Sequence, residues 1–166
     1  MQPSSSTPGA TAGEIARAVA SCRANKPFLA SLREVYRDAD AAVRSSAAVC
    51  RACGKCCRFD EAGHLLYVTP GELALLTALP PPAGAEIRAG RCAYQVGDIC
   101  TARDRRALGC RLFFCEPDLP EIFGPQYEEL HRRIRRLHAR AAVSYLYVEL
   151  SGALAALEDG SRLGQA

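Results

Sequence analysis

Eight of the nine cysteines fall between Cys50 and Cys115. They begin as a CxxCxxCC run (Cys50, Cys53, Cys56, Cys57) and continue through Cys92, Cys100, Cys110 and Cys115. Thiolates recurring at two-residue gaps can wrap one small cation or cluster, because the intervening turn aims successive sulfurs at a common centre. The chemistry implied is metal ligation by sulfur. In most local conformations the adjacent Cys56 and Cys57 cannot both face the same small centre, so they are expected to serve two. Eight sulfurs divide into two sets of four, which matches two tetrahedral zinc sites, two [4Fe–4S] clusters, or one of each. The expected partition joins Cys50, Cys53 and Cys56 to one distal cysteine and leaves Cys57 with the others. Ligand type leaves zinc and iron–sulfur level, since both accept four thiolates.

Arg106 and Arg111 flank Cys110. A guanidinium beside a thiolate donates hydrogen bonds that stabilise its charge, so both are candidates to surround the ligands; salt bridging to Asp104 or Glu116 is the competing role. Phe113 and Phe114 are expected to shield the site, and Tyr94 to pack. His131 and His138 share one helix face and His64 follows the cysteine run, but eight cysteines already complete two sites. Cys22 reads as a buried structural thiol.

These residues need elements to hold them. Thr11 and Glu14 have capping-box spacing and start a helix over about 12–24. Pro27 opens a second helix that carries Phe28, Leu32, Val35, Tyr36, Ala39 and Val43 to about Ser46 and delivers the chain to Cys50. His64 to Val68 reads as extended. Thr69 caps a helix with Pro70 at its first position and Glu72 completing the box, ended by Pro80, Pro81 and Pro82. Gly97-Asp98 predicts a hairpin over Cys92–Thr101 with one cysteine on each arm. From Pro125 the pattern through Tyr127, Leu130, Ile134, Leu137, Leu146, Val148, Leu150, Leu154 and Leu157 predicts one long helix or two consecutive ones. Its Arg132, Arg133, Arg135, Arg136 and Arg140 form the solvated face.

Length and composition bound the rest. At 166 residues one domain is expected, and an apolar fraction dominated by Ala, with no Trp, predicts a thin core to which metal adds folding free energy. Residues 1–11 read as a disordered tail and residues 12–160 as a single helical domain containing the cluster at 50–115. No signal peptide and no membrane span are visible, so a soluble, cytoplasmic protein is expected, where clustered cysteines serve as ligands more often than as disulfides. The formal charge of +3 falls to about −1 once two four-thiolate sites each add about −2, so nucleic acid is not the expected partner.

The CxxCxxCC run, the Val68-Thr69-Pro70-Gly71-Glu72 helix start, Cys92, Cys100 and then Arg106-Ala107-Leu108-Gly109-Cys110-Arg111 together resemble the YkgJ-like cysteine-cluster family. The likeness covers roughly residues 50 to 115. It implies a zinc- or iron-chelating domain and an Arg at position 111 beside the site. The family's usual last motif is RPxxCR, and Ala107 stands where the Pro would be. Cys115 lies near where members carry Pro-Phe or a further Cys, which puts its ligand role in more doubt than that of Cys110. The family includes flagellin lysine-N-methylases, so the resemblance also admits a methyltransferase-like enzyme using S-adenosylmethionine, although no GxGxxG fingerprint is present.

The expectation is therefore a mostly α single small domain with an irregular cysteine-rich metal-binding region and one short β-hairpin. It would hold iron–sulfur or zinc at up to two centres, with metal binding as the leading role and electron transfer to a redox or protein partner as a further use that such a centre allows. A structural zinc module that mediates protein interaction is the rival from another class.

Overall fold

A computed structural model describes residues 9–51, 53–85, 87–114 and 118–163. Residues 1–8 of the expected tail lie outside the described residues. Helix α1 (Ala12–Ala24) starts on the anticipated box: Thr11 Oγ1 accepts from the Glu14 amide at 3.3 Å, and the Glu14 carboxylate accepts from the Thr11 amide at 2.8 Å. Helix α2 (Lys26–Arg44) is capped by Asn25, whose Oδ1 accepts from the Phe28 amide at 3.0 Å, with Pro27 in its first turn. Its buried Phe28, Leu29, Leu32, Val35, Tyr36 and Ala39 follow helical spacing and form the spine of the core.

The cysteine run makes a 3₁₀ turn at Lys55–Cys57, followed by the single-turn helix α3 (Phe59–Ala62), strand β1 (Tyr67–Val68) and helix α4 (Pro70–Leu76). The Thr69/Glu72 box forms as expected, but the helix stops at Leu76, before the three prolines. Thr77 ends it by turning its hydroxyl onto the Leu73 carbonyl (2.6 Å) while Arg23 donates to the same hydroxyl (2.8 Å). The predicted hairpin is strands β2 (Gln95–Val96) and β3 (Ile99–Cys100), turned by Gly97 at φ 57°. Only Cys100 lies on an arm; Cys92 precedes β2 and pairs its amide with the Cys57 carbonyl at 2.9 Å.

Helix α5 (Leu108–Leu112) carries Cys110, and helix α6 (Leu119–Arg140) begins six residues ahead of the expected Pro125. Burial of Leu119, Phe123, Tyr127, Leu130 and Ile134 on one face continues through the proline and outweighs its lost hydrogen bond. Arg132 and Arg136 pair with Glu129, and Arg133 reaches Asp38 on α2 at 2.8 Å, as befits a solvated basic face. The helix ends at Ala142, φ 51°, where the Val143 amide bonds back to the His138 carbonyl at 3.1 Å. The segment expected to continue as helix is instead extended. Val143, Tyr145 and Tyr147 recur at two-residue steps, and strand β4 (Val148–Glu149) pairs antiparallel with β1, Tyr67 opposite Glu149. Helix α7 (Leu150–Leu163) follows.

The described chain is mostly helical, with two small two-stranded sheets. Helix α1 packs on α4 and α7, while α2 packs on α5 and α6. At the junction of α4 with α2, a Cβ on Gly71 would come within 2.7 Å of the Phe28 ring, so glycine is what lets these helices touch. Among the described residues no helix is long and apolar enough to cross a membrane.

Candidate metal centre

Seven cysteines, Cys50, Cys53, Cys56, Cys57, Cys92, Cys100 and Cys110, line one cavity of about 30 Å³. Cys115 lies outside the described residues. Gly54, at φ 66°, turns the chain so that the 3₁₀ turn closes with Cys57 N–H on the Gly54 carbonyl at 3.0 Å. The hairpin docks on that turn through Gln95 Nε2, which donates to the Gly54 carbonyl at 3.1 Å, and so brings Cys100 to the cavity. Phe59, Tyr94, Phe114 and Leu150 supply apolar walls.

Cys110 arrives by a different device. Glu72 is 2 % exposed, with one carboxylate oxygen closing the Thr69 box and the other accepting from the Leu108 amide at 2.9 Å. Leu108 is the first residue of α5, so a buried carboxylate on α4 fixes the start of the helix that holds Cys110. Burial pushes the Glu72 carboxyl up, against the opposing pull of the Leu108 and Thr69 amides.

The sulfurs interact with one another. Cys57 is pushed far above the ordinary thiol range, first by its hydrogen bond to Cys100, then by those to Cys56 and Cys92, and by burial. Cys56, Cys92 and Cys100 are each lowered, principally by accepting from Cys57. Cys110 is raised, by burial and then by the neighbouring Cys92 and Cys56. One thiol has a single proton and cannot satisfy three thiolates at once. As thiolates these neighbouring sulfurs would repel one another, a charge that a cation would answer.

The adjacent Cys56 and Cys57 line the same cavity, and each shifts the acidity of the other. Among the described residues, no group of three or more Cys, His, Asp or Glu is arranged so that it could hold a metal ion.

Arg106 lines the cavity, and its charge helps to lower Cys56 and Cys100. Arg111 does not take the place expected for it. Its guanidinium is held by Asp40 (2.6 Å) and by the carbonyls of Asp104 (2.7 Å) and Arg106 (3.0 Å), over the Tyr36 ring, so it braces α5 against α2. The cation that sequence reasoning missed is Arg103, which lines the cavity and donates to Cys50 Sγ at 3.6 Å. Its place three residues after Cys100, within the stretch leading to Cys110, was the available signal. Glu72 was read only as a cap; nothing in its spacing announced the second bond to Leu108.

Cys22 is fully buried on α1, its thiol pushed up to about 12 by burial, and it does not line the cavity. His131 and His138 join Tyr127, Tyr145 and Tyr147 in an aromatic layer on the inner face of α6. There His131 Nε2 meets the Tyr145 hydroxyl at 2.9 Å and the Tyr127 and Tyr147 hydroxyls meet at 2.6 Å. His64 packs edge-on to Phe59. Phe113 leans on Tyr127 and Phe114 lines the cavity, while Tyr94 donates its hydroxyl to the Leu79 carbonyl at 2.9 Å. No family model, curated protein or solved structure matches the chain.

Proposed function

We propose that the cysteine cavity binds a thiolate-ligated metal centre, an iron–sulfur cluster in the leading reading, and that the protein works in electron transfer. On this reading the chain groups with the YkgJ-like cysteine-cluster family, on the order of its motifs alone. The observation that carries the proposal is the gathering of seven cysteines, from the 3₁₀ turn and its flanks, the hairpin and α5, around one cavity. Cys56, Cys57, Cys92, Cys100 and Cys110 would supply the inner ligands, with Cys50 and Cys53 at the same wall. Seven thiols exceed the four that one tetrahedral ion or one cubane cluster uses, which favours two centres over one. A bound cluster would supply the one-electron chemistry. Arg103 and Arg106 would hold the thiolate charge, and Phe59, Phe114 and Leu150 would keep water from it.

Zinc is the second reading. Hydrogen-bond reach between sulfurs suits the roughly 3.8 Å edge of a tetrahedron whose metal–sulfur bonds are about 2.3 Å. The two separate in one measurement on anaerobically purified protein. Iron with acid-labile sulfide and broad absorbance near about 400 nm supports the cluster, and colourless protein with one or two zinc per chain overturns it. In either case Cys57→Ser should lose metal while Cys22→Ser retains it; the reverse pattern would show that the ligand assignment is wrong.

A further inference from the structure

A second groove, of about 290 Å³, lies between α2, α4, the 3₁₀ turn Arg103–Arg105 and α5. It shares no lining residue with the cysteine cavity, because that turn presents Arg103 to the sulfurs and Asp104 and Arg105 to the groove. Four guanidiniums line it, those of Arg33, Arg37, Arg105 and Arg111, against the carboxylates of Asp40 and Asp104. An excess of one sign of charge in a concavity focuses its field and raises the local concentration of counter-ions.

Two of the four cations are already answered. Arg111, only 6 % exposed, is fixed by Asp40 and two backbone carbonyls, and Arg37 pairs with Glu34. The other two are not. Among the described residues the Arg33 guanidinium has no ion pair or hydrogen bond, and Arg105 is anchored only through Nε, which donates to the Leu76 carbonyl at 3.3 Å. The terminal nitrogens of Arg105 are left without a protein partner there. Burial and then Glu72 push the Tyr36 hydroxyl up while Arg111 and Arg33 pull it down, so the charge of Arg33 bears on the same ring that Arg111 covers at 4.3 Å. Asp104 makes no ion pair with any of them among the described residues, so the groove does not satisfy Arg33 and Arg105 from within.

We propose that this groove is a binding site for a phosphate group, held between Arg33 on α2 and Arg105 on the 3₁₀ turn. A guanidinium fork matches two oxygens of a phosphate, and two forks carried by separate elements hold a dianion from both. Leu75 and Tyr36, each 4 % exposed, add an apolar lining that a small organic body on the phosphate would cover. The volume stands at the low end of ligand sites, which enclose roughly 300–1,000 Å³, and so suits one small molecule. A lone carboxylate is the poorer fit, since its single charge leaves one of the two guanidiniums unanswered. The site stands whether or not the cysteine cavity holds metal.

The experiment titrates the full-length protein with inorganic phosphate, phenyl phosphate and benzoate by calorimetry at low salt. Both phosphates should bind, and benzoate should bind about tenfold more weakly or worse. Phenyl phosphate binding tighter than inorganic phosphate identifies an organic phosphate as the ligand, and equal affinity identifies the free ion. The Kd for phosphate should rise about tenfold in Arg33→Gln and in Arg105→Gln, recover in part in Arg33→Lys, and rise with added salt. Arg132→Gln on α6, whose guanidinium pairs with Glu129, should leave it unchanged. Arg33 is exposed, so its variants should keep the fold, and their melting temperatures check this. No binding of either phosphate at about 10 mM, benzoate bound as tightly as phosphate, a Kd unmoved in Arg33→Gln, or an equal loss in Arg132→Gln would overturn the proposal.

Discussion

Replacing Glu72 with Ala should be the most damaging single change outside the cysteines. Its carboxylate accepts from the Thr69 amide (2.8 Å), the Thr69 hydroxyl (2.9 Å) and the Leu108 amide (2.9 Å), all out of contact with water. Alanine strands two buried backbone N–H groups, at about 1–3 kcal/mol each, and leaves a small void; the hydroxyl can rotate away. Removing a carboxylate that burial already disfavours offsets part of this, so the net loss should be about 4 kcal/mol. Glu72→Gln keeps the volume but only one acceptor oxygen, and its NH₂ meets the second amide, so it should lose about 2 kcal/mol. Urea unfolding of the metal-loaded protein measures both, and a chelator challenge reads the second effect. Because Leu108 begins the helix that carries Cys110, metal should be released faster in the order Ala, Gln, wild type. A Gln variant within about 0.5 kcal/mol of wild type, or an Ala variant losing less than about 1 kcal/mol, would refute the idea that this carboxylate joins α4 to α5.

Two further outcomes follow from the geometry. Burial, with Arg135 and His138 adding to it, lowers His131 from 6.5 to about 4. The unfolded chain therefore takes up this proton as pH falls below about 6.5 while the folded chain resists until about 4, so the stability present above pH 6.5 is lost across that window, about 3 kcal/mol in all. Urea midpoints between pH 7.5 and 4 should show a shallower acid slope for His131→Phe than for wild type; parallel slopes would remove His131 as the cause. Gly54→Ala forces a side chain onto a φ of 66° and within 2.7 Å of the Asp98 carbonyl, so it should cost about 2 kcal/mol and speed amide exchange across Gln95–Cys100. Unchanged exchange there would mean that the hairpin does not depend on the Gly54 turn.

The helices that rest on local chemistry were legible. Thr11 with Glu14, Pro27, and Thr69 with Glu72 each mark a helix start within a few residues, so spacing sufficed. The region around Val148 was not, because its apolar spacing suits a helix as well as a strand, and only the distant partner Tyr67–Val68 decides between them. Pro125 misled for a related reason: a strong local signal for a helix start was overridden by tertiary burial of Leu119 and Phe123. At the candidate site the residue types were enough to gather the cysteines. What the sequence could not state was that a 3₁₀ turn would let Cys56 and Cys57 face one cavity, or that Arg111 would be drawn away by Asp40, a residue 71 positions earlier. Both depend on backbone and long-range partners rather than on spacing.

The short ladder between Tyr67–Val68 and Val148–Glu149 also sets an order of events during synthesis. It is extended by the Leu150 amide bonding to the Leu66 carbonyl at 2.8 Å, and Leu150 is one wall of the cysteine cavity. Every sulfur on that wall-lined space has left the ribosome some forty residues before Leu150 does, at about 5–20 residues per second. For those seconds the thiols lie around an open pocket, which the chain then shuts behind them as β4 and the first turn of α7 take their place beside β1. If the cavity takes a metal, loading from the open side would precede closure from the C-terminal side, an order set by the connectivity of the fold itself.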